Sequence, residues 1–312
     1  MIEIFRYTKH HKEIWDEFVK NSRIDTFLFF RDFLDYHSDR FEDHSYLIFR
    51  KGKLEALLPG NIHNSIFYSH QGLTYGGFVT STKITLTDIS IAFELINKDL
   101  NLAGVKEVIY KPTPYIYHLQ PAQEDIYALF RLGATKIGCN ISSTILQIEK
   151  IPFIESRKSG VRKAIKEDVD VSESDEFYVF WEILENNLLR TYGKTPVHSL
   201  NEILILKNRF TENIKLYIAK IGETPVAGCL LFLMKRVIHV QYISANEQGK
   251  KTGALDLLFD KLINEIYIDY PIFDFGQSTE QMGNILNENL LFQKEGFGGR
   301  GIAYDIYSYN IN

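Results

Sequence analysis

Arg157, Lys158, Arg162, Lys163 and Lys166 stand close together in the chain, and positions 158, 162 and 166 recur at the spacing that stacks side chains on one helix face. A positive stripe of this kind attracts the phosphates of a nucleotide-linked sugar, a coenzyme or a tRNA. With Glu155, Glu167 and Asp168 flanking it, the same run also reads as a solvated face. A second basic pair, Lys250 and Lys251, is followed by Thr252, Gly253 and Ala254, where a long helix is predicted to begin. A helix start exposes unpaired backbone N–H groups and a partial positive charge, so an anion is held there, or else Thr252 caps a polar loop. Asp274 and Gln277 fall at the C-terminal end of a predicted strand, where open sheets expose their functional side chains. Tyr242 and Ser244, two residues apart in another predicted strand, point to one face, toward either a substrate or the packing beneath.

The elements that must position these groups occur twice. Asp39-Arg40-Phe41, Tyr46-Leu47-Ile48-Phe49, Lys51-Gly52-Lys53 and Ala56-Leu57-Leu58 return as Asn208-Arg209-Phe210, Leu216-Tyr217-Ile218-Ala219, Ile221-Gly222-Glu223 and Ala227-Gly228-Cys229. The offset drifts only from 169 to 171 residues, as in two diverged copies of a helix followed by a β-hairpin. Hydrophobic periodicity predicts, in the first half, short helices near 10–20 and 27–36, strands on either side of Gly52, strands at 65–68 and 73–79, a helix over 87–102, a strand at 105–110, a helix over 125–132 and a strand at 144–148. In the second half it predicts helices over 156–167, 177–189 and 201–210, then strands at 216–220, 226–234 and 237–244. A loop at 246–251 opens a helix over 253–268, and a strand at 272–275, a helix over 285–292 and a strand at 302–309 close the chain. The join lies near 149–152, giving lobes 1–150 and 151–312 of a mixed α+β class.

A chain of 312 residues, 45% hydrophobic, buries two ordinary cores. Its net charge of −5 argues against a surface that grips nucleic acid all over, though it leaves room for a local basic patch. Neither G-x-G-x-x-G nor G-x-x-x-x-G-K-[ST] occurs, which sets aside dinucleotide and P-loop chemistry, and no G-x-S-x-G elbow suggests a serine hydrolase. The nine histidines form no H-x-x-x-H pattern and the two cysteines no C-x-x-C, so no metal site is expected. Cys139 and Cys229 lie in strand-like text and read as buried, reduced thiols. With no leader pattern at Met1 and no apolar run of membrane length, the expected location is the cytoplasm.

Five stretches of the second half, in this order, resemble the FemAB-like branch of the GNAT acyltransferase superfamily, whose members carry two GNAT-type domains in one chain. They are the basic run from Arg157 to Ala164, Gln241-Tyr242-Ile243-Ser244, Gly253-Ala254-Leu255-Asp256, Phe273-Asp274-Phe275-Gly276 and Lys294-Glu295-Gly296-Phe297-Gly298-Gly299. The resemblance implies tandem GNAT-like lobes, each a mixed, mostly antiparallel sheet flanked by helices. It implies transfer of an acyl group to an amine, on an amino sugar or a cell-envelope precursor, with acyl-CoA as co-substrate and no tightly bound cofactor. The alternatives it leaves open are an aminoacyl-tRNA donor and a catalytically silent binding module.

On this reading Tyr242, Ser244, Asp274 and Lys294 are the catalytic candidates. Asp274 would accept a proton from the attacking ammonium, and Lys294 would match the lysine of the family's Phe-Lys motif, although Gln293 stands where that motif has its aromatic residue. The family's Q/R-x-x-G-x-G/A loop falls on Lys250, Lys251, Thr252, Gly253 and Ala254, with Lys251 in place of a glycine. Arg157, Arg162, Lys163 and Gln277 are the candidates for substrate binding. The second lobe is expected to hold the donor and catalytic site, and the first, degenerate, to form a groove.

Overall fold

The computed structural model describes residues 1–311, apart from the side chain of residue 192. The chain divides into two units, neither of them contiguous. Unit 1 takes Met1–Ile141, Thr279–Leu286 and the residues from Ala303 on; unit 2 takes Ser142–Ser278 and Asn287–Ile302. The expected join near 149–152 therefore lies inside unit 2.

Unit 1 begins with β1 (Ile2–Arg6), α1 (Lys12–Lys20) and the single turn α2 (Arg31–Leu34), then β2 (Glu42–Asp43) and the hairpin β3 (Tyr46–Arg50) and β4 (Lys53–Leu58). There follow β5 (Asn61–His63), β6 (Ile66–Tyr68), β7 (Val79–Thr80), α3 (Leu86–Leu102), β8 (Glu107–Tyr110) and α4 (Glu124–Arg131). β1, β3, β4 and β7 form an antiparallel sheet in that order. Thr85 starts α3, because its side chain accepts the N–H of Asp88 while the Asp88 carboxylate takes the N–H of Thr85. From that start Ile89, Ala92, Phe93, Ile96 and Leu100 recur at helical spacing and join Tyr46, Ile48, Ala56 and Leu58 in one core. The stretch 73–78, predicted as strand, is irregular. Gly76 gives its N–H to the Lys111 carbonyl and makes a single parallel bridge to Pro112, and the only continuous pairing nearby is Val79–Thr80 with β4.

β9 (Thr135–Leu146) leads from unit 1 into unit 2, which continues with α5 (Glu155–Lys166), β10 (Val169–Ser174), α6 (Phe177–Tyr192), α7 (Leu200–Arg209), β11 (Ile214–Ile221), β12 (Thr224–Leu233), β13 (Val237–Ala245), α8 (Glu247–Thr252), α9 (Ala254–Lys261) and β14 (Ile272–Gln277). The short pair β15 (Thr279–Glu280) and β16 (Ile285–Leu286) belongs to unit 1, α10 (Glu288–Gly296) to unit 2, and β17 (Arg300–Asn310) begins in unit 2 and ends in unit 1. In unit 2 the strand order is β10-β11-β12-β13-β14-β9, antiparallel except between β13 and β14. Phe259 of α9 sets its ring against Phe273, Phe275 and Phe297, and burying each such ring stabilises the unit by roughly 1.5–3 kcal/mol.

The duplication shows in the register as well as in the letters. Both hairpins turn on a glycine of positive φ, Gly52 at 73° and Gly222 at 56°. The ladder slips after Ile48 in one and after Ala219 in the other, within one residue of each other in the repeat. Each unit is thus built of mixed, mostly antiparallel strands flanked by helices; in unit 1 the order β8-β6-β5-β2 stands apart from the first sheet, and there β6 and β8 run parallel.

Three expected elements differ. Residues 246–251 are mostly helical, as α8, because the Asn246 side chain accepts the N–H of Gly249 and starts a helix there. The helix predicted over 253–268 ends as α9 at Lys261 and passes into a π-helical turn, Leu262–Ile266. The helix predicted from 285 begins at Glu288, since Ile285–Leu286 pairs with Thr279–Glu280 and the Asn287 side chain caps α10 by accepting the N–H of Leu290.

Candidate active site

Strands β13 and β14 run parallel for only three pairs, Val237↔Ile272, Ile238↔Phe273 and His239↔Asp274. β13 then keeps its ladder to β12 as far as Ala245, while β14 leaves. Gly276, at φ 73°, supplies the bend, and between Asp274 and Gln277 the register of β14 against β9 slips. A side chain at Gly276 would place its Cβ 3.2 Å from the His239 ring, so the glycine also makes room for that imidazole. Beyond the parting, one edge of β13 has no strand beside it among the described residues, and alternate residues present main-chain N–H groups to that side.

A buried polar cluster sits at the parting. Asp274 is fully buried, and its Oδ1 accepts from Ser142 Oγ at 2.5 Å, Thr144 Oγ1 at 3.0 Å and the Gly276 N–H at 3.3 Å. Its Oδ2 lies 2.7 Å from His239 Nδ1. The register explains the convergence: Thr144 on β9 and His239 on β13 are the two residues directly opposite Asp274. Lys294 reaches in from α10, only 3% exposed, and donates to the Gly276 carbonyl at 2.9 Å and the Gln277 carbonyl at 2.7 Å. Burial lowers this ammonium to about 8, against the pull of the Asp274 charge in the other direction.

Asp274, Gln277 and Lys294 thus meet, whereas Tyr242 and Ser244 are engaged elsewhere. The Tyr242 hydroxyl lies 2.7 Å from His198 Nδ1 and accepts the His198 backbone N–H, and its ring packs edge-on against Trp181 of α6. Ser244 Oγ donates to the Ile183 carbonyl of α6. A bulge at Gln241, where Leu230 pairs with Tyr242 and Leu231 with Val240, changes the alternation. Ile238, Val240 and Ala245 go to the core under α9, and His239 shares the opposite face with Tyr242 and Ser244.

The basic helix forms as α5, but its members diverge. Arg157 turns inward, pairs with Asp256 of α9 at 2.8 Å and lies over the Phe297 ring. Arg162 pairs with Glu155 on the surface, and Lys163 is exposed. Lys250 bonds Asn187 Oδ1 and approaches Glu247, Lys251 is exposed, and Thr252 donates back to carbonyls of its own helix. Gly253, at φ 78°, links α8 to α9, and Ala254 is fully buried. A Cβ at Gly253 would lie 2.5 Å from the Gly160 carbonyl oxygen, so α5 covers the start of α9 where the anion was expected. A surface cleft of about 530 Å³ opens instead between α6 and the start of α8; its charged lining is Glu182, Glu247 and Arg190, the last two paired with each other.

His239, Ser142 and Thr144 were not among the residues singled out in the sequence. Their relevance lies in strand register, which no motif encodes; the signal available was an isolated histidine in the strand predicted at 237–244. Cys229 is buried as expected, but Cys139 is exposed on β9; both are free thiols. Among the described residues no three His, Cys, Asp or Glu side chains group to hold a metal ion, and no helix is long and apolar enough to cross a membrane.

No protein-family model matches the sequence, and no curated protein sequence matches it. Solved structures do match over nearly the whole chain. FemX superimposes with a TM-score of 0.72 at 12% identity, covering 99% of this chain and 98% of its own. The C-terminal domain of a putative lysylphosphatidylglycerol synthetase from Agrobacterium fabrum gives 0.62 at 11% identity, covering 97% and 92%. A tandem GNAT protein from the clavulanic acid biosynthesis pathway gives 0.56 at 8% identity, covering 100% and 99%. At such identities the likeness is one of fold, and the fold of this chain is GNAT/FemAB-like, with two GNAT-type units in tandem.

Proposed function

We propose that this protein transfers an acyl group from an activated ester to an amine at the point where β13 and β14 part. The observation that carries the reading is the placing there of a buried cation, Lys294, and a buried carboxylate, Asp274, next to the unpaired edge of β13. Direct transfer needs positioning and charge stabilisation rather than a nucleophilic side chain. The amine nitrogen attacks the donor carbonyl, the N–C bond forms, and the carbonyl oxygen takes up negative charge. Main-chain N–H groups of β13 and the Lys294 ammonium, which spends two of its three N–H bonds on the Gly276 and Gln277 carbonyls, stabilise that charge. Before that attack the acceptor ammonium gives up one proton to the His239–Asp274 pair, in which Asp274 fixes Nδ1 of the ring, so that the nitrogen has a free electron pair. Collapse of the intermediate breaks the C–O bond, the second proton of the nitrogen passes to the departing oxygen, and the carrier leaves as its free hydroxyl. Tyr242 and Ser244, tied to the α6 side, hold the face of β13 in place.

Two donors follow from the resemblance, and a specific observation favours an aminoacyl ester on tRNA over an acyl-CoA thioester. The start of α9 is covered by the Gly160 carbonyl, and the cleft beside α8 carries two carboxylates against one paired guanidinium, a poor seat for a pyrophosphate. Arg162, Lys163, Lys158 and Lys166 on the outer side of α5 offer charge to a polyanion instead. The acceptor class proposed is an amino sugar or amine of a cell-envelope precursor.

The test incubates the purified protein with acceptor amines and either aminoacyl-tRNA or acetyl- and longer acyl-CoA, and detects amide products by mass spectrometry. Product made from aminoacyl-tRNA and abolished by RNase supports the reading. Product made from acyl-CoA and indifferent to RNase would reverse the choice of donor, and amide from neither would remove the transfer reaction.

A further inference from the structure

We propose that unit 1 holds a second binding site, for a phosphate or carboxylate group of a ligand, at Lys111 beside the stacked rings of His37 and His70. Lys111 directly follows β8 and is half-buried; its Nζ donates to the Leu73 carbonyl, and its backbone N–H goes to Ser69 Oγ. His37 and His70 are both buried, with ring centroids 5.2 Å apart and planes within 18°. Arg31, 1% exposed, completes a cluster of basic groups: burial above all, and then the neighbouring His37, Lys111 and Arg31, hold His70 well below the ordinary imidazole range.

The negative charge of this region is already spent. Asp35 and Asp43 both pair with Arg31, and among the described residues no carboxylate pairs with Lys111. One backbone carbonyl satisfies one N–H of an ammonium and does nothing for its net charge, so the position gains from an anion supplied from outside. His70 Nδ1, on a ring 3% exposed, has no hydrogen-bond partner among the described residues, which leaves a second polar atom to be met at the same place.

The backbone that carries these groups is held in an unusual form. His70 sits at φ 72°, a conformation sparsely populated by residues with a side chain, and such outliers gather at ligand sites. Gly72 passes so near His37 that a Cβ there would lie 2.4 Å from His37 Nε2, and one at Gly76 would lie 1.8 Å from the Ser69 carbonyl oxygen. The segment from Ser69 to Gly76 is therefore laid down tightly around the cluster. If its purpose were only to anchor this segment through the Leu73 carbonyl, a neutral donor would serve without the cost of a buried charge. The inference concerns unit 1 and does not depend on the transfer reaction proposed for unit 2.

The test uses the full chain. Its lysines are acylated with an amine-reactive ester near neutral pH and read by mass spectrometry, in the presence of inorganic phosphate, inorganic pyrophosphate, acetate or chloride. Burial lowers the Lys111 amine to about 8, so near neutral pH a larger share of it is the nucleophilic free base than of ordinary lysines. The expected result is that a phosphate arm or the acetate arm slows acylation of Lys111 several-fold relative to chloride while Lys251 and Lys163 react as before; which arm does so identifies the group. A parallel measurement follows Tm: the same anion should raise it saturably, by about 2–4 °C, and Lys111→Met should abolish the rise. His70→Asn, which keeps a residue tolerant of positive φ, should weaken the protection. Equal acylation in all four salts, a Lys111 that does not react at all, or a Tm rise that survives Lys111→Met would each overturn the proposal.

Discussion

Each unit of this molecule sets a lysine into its interior beside a bent stretch of backbone, and the two are surrounded differently. Lys294 in unit 2 and Lys111 in unit 1 are both lowered to about 8 by burial, and both donate to main-chain carbonyls. Lys294 has two such carbonyls and the field of Asp274; Lys111 has one carbonyl and no carboxylate partner among the described residues. A similar net lowering thus accompanies surroundings of different chemistry. A cation with a built-in counter-charge is suited to stabilising charge that appears during a reaction, and a cation without one is suited to holding charge that arrives with a ligand.

Removing the counter-charge is expected to have the largest effect. Asp274→Ala leaves Ser142, Thr144 and His239 without their shared acceptor and Lys294 without a nearby anion. Breaking a buried pair of this kind costs about 3–5 kcal/mol, and urea unfolding should show it as a lower midpoint at unchanged slope. A loss under about 1 kcal/mol would mean that water already serves the cluster, and unit 2 would then resemble unit 1.

Lys294→Met comes next. The side chain is nearly isosteric and apolar, so the fold should survive, while kcat for amide formation falls by about 10²–10³, the usual effect of deleting a charge-stabilising donor. Lys294→Arg should recover part of the rate, because charge is kept but the reach to the Gly276 and Gln277 carbonyls is altered. An unchanged kcat in Lys294→Met would reduce this lysine to a buried strut.

How much of the molecule was legible in the sequence depends on whether a feature is set locally or by contacts between distant segments. Asp274, Gln277 and Lys294 could be placed because their positions are set locally, at a strand end and within a short motif resembling a family's. The hairpins could be read because their turn glycines and alternating residues recur at a fixed offset. His239 could not, since its meeting with Asp274 depends on a parallel register between strands separated by α8 and α9. Tyr242 and Ser244 do share one face, yet the partners of that face are decided by α6 and by the bulge at Gln241, which adds one residue and leaves no mark in composition. The helix in place of the loop at 246–251 reflects the Asn246 cap, a signal that the lysine pair beside it overshadowed.

Alkaline titration sharpens the comparison with a smaller effect. Unfolded, a lysine keeps its proton to the ordinary 10.5; folded, each of these two releases it near about 8. Between those values the unfolded chain binds more protons, so stability rises with pH through that window, by about 1–3 kcal/mol per lysine. Below it both states are protonated and the difference is constant. Lys294→Met and Lys111→Met should each remove one share of the rise, measured as the change in unfolding free energy from about pH 7 to about pH 10 relative to the parent protein. A rise that survives both substitutions would assign it to other groups and dissolve the likeness between the two lysines.

The smallest effect is expected where charge is exposed. Arg162 pairs with Glu155 on the surface of α5, and Lys163 beside it is open to solvent, so replacing both by glutamine should leave Tm unchanged. These two residues differ from the buried pair in that water already solvates them, and their contribution can appear only when a polyanion displaces its counterions. With aminoacyl-tRNA as donor, the double substitution should raise KM without lowering kcat, and the slope of log affinity against log salt should become shallower by about 0.7–0.9 for each charge that touched a phosphate. A KM and salt slope equal to those of the parent protein would confine the outer face of α5 to solvation and move the search for the donor's seat to the cleft between α6 and α8.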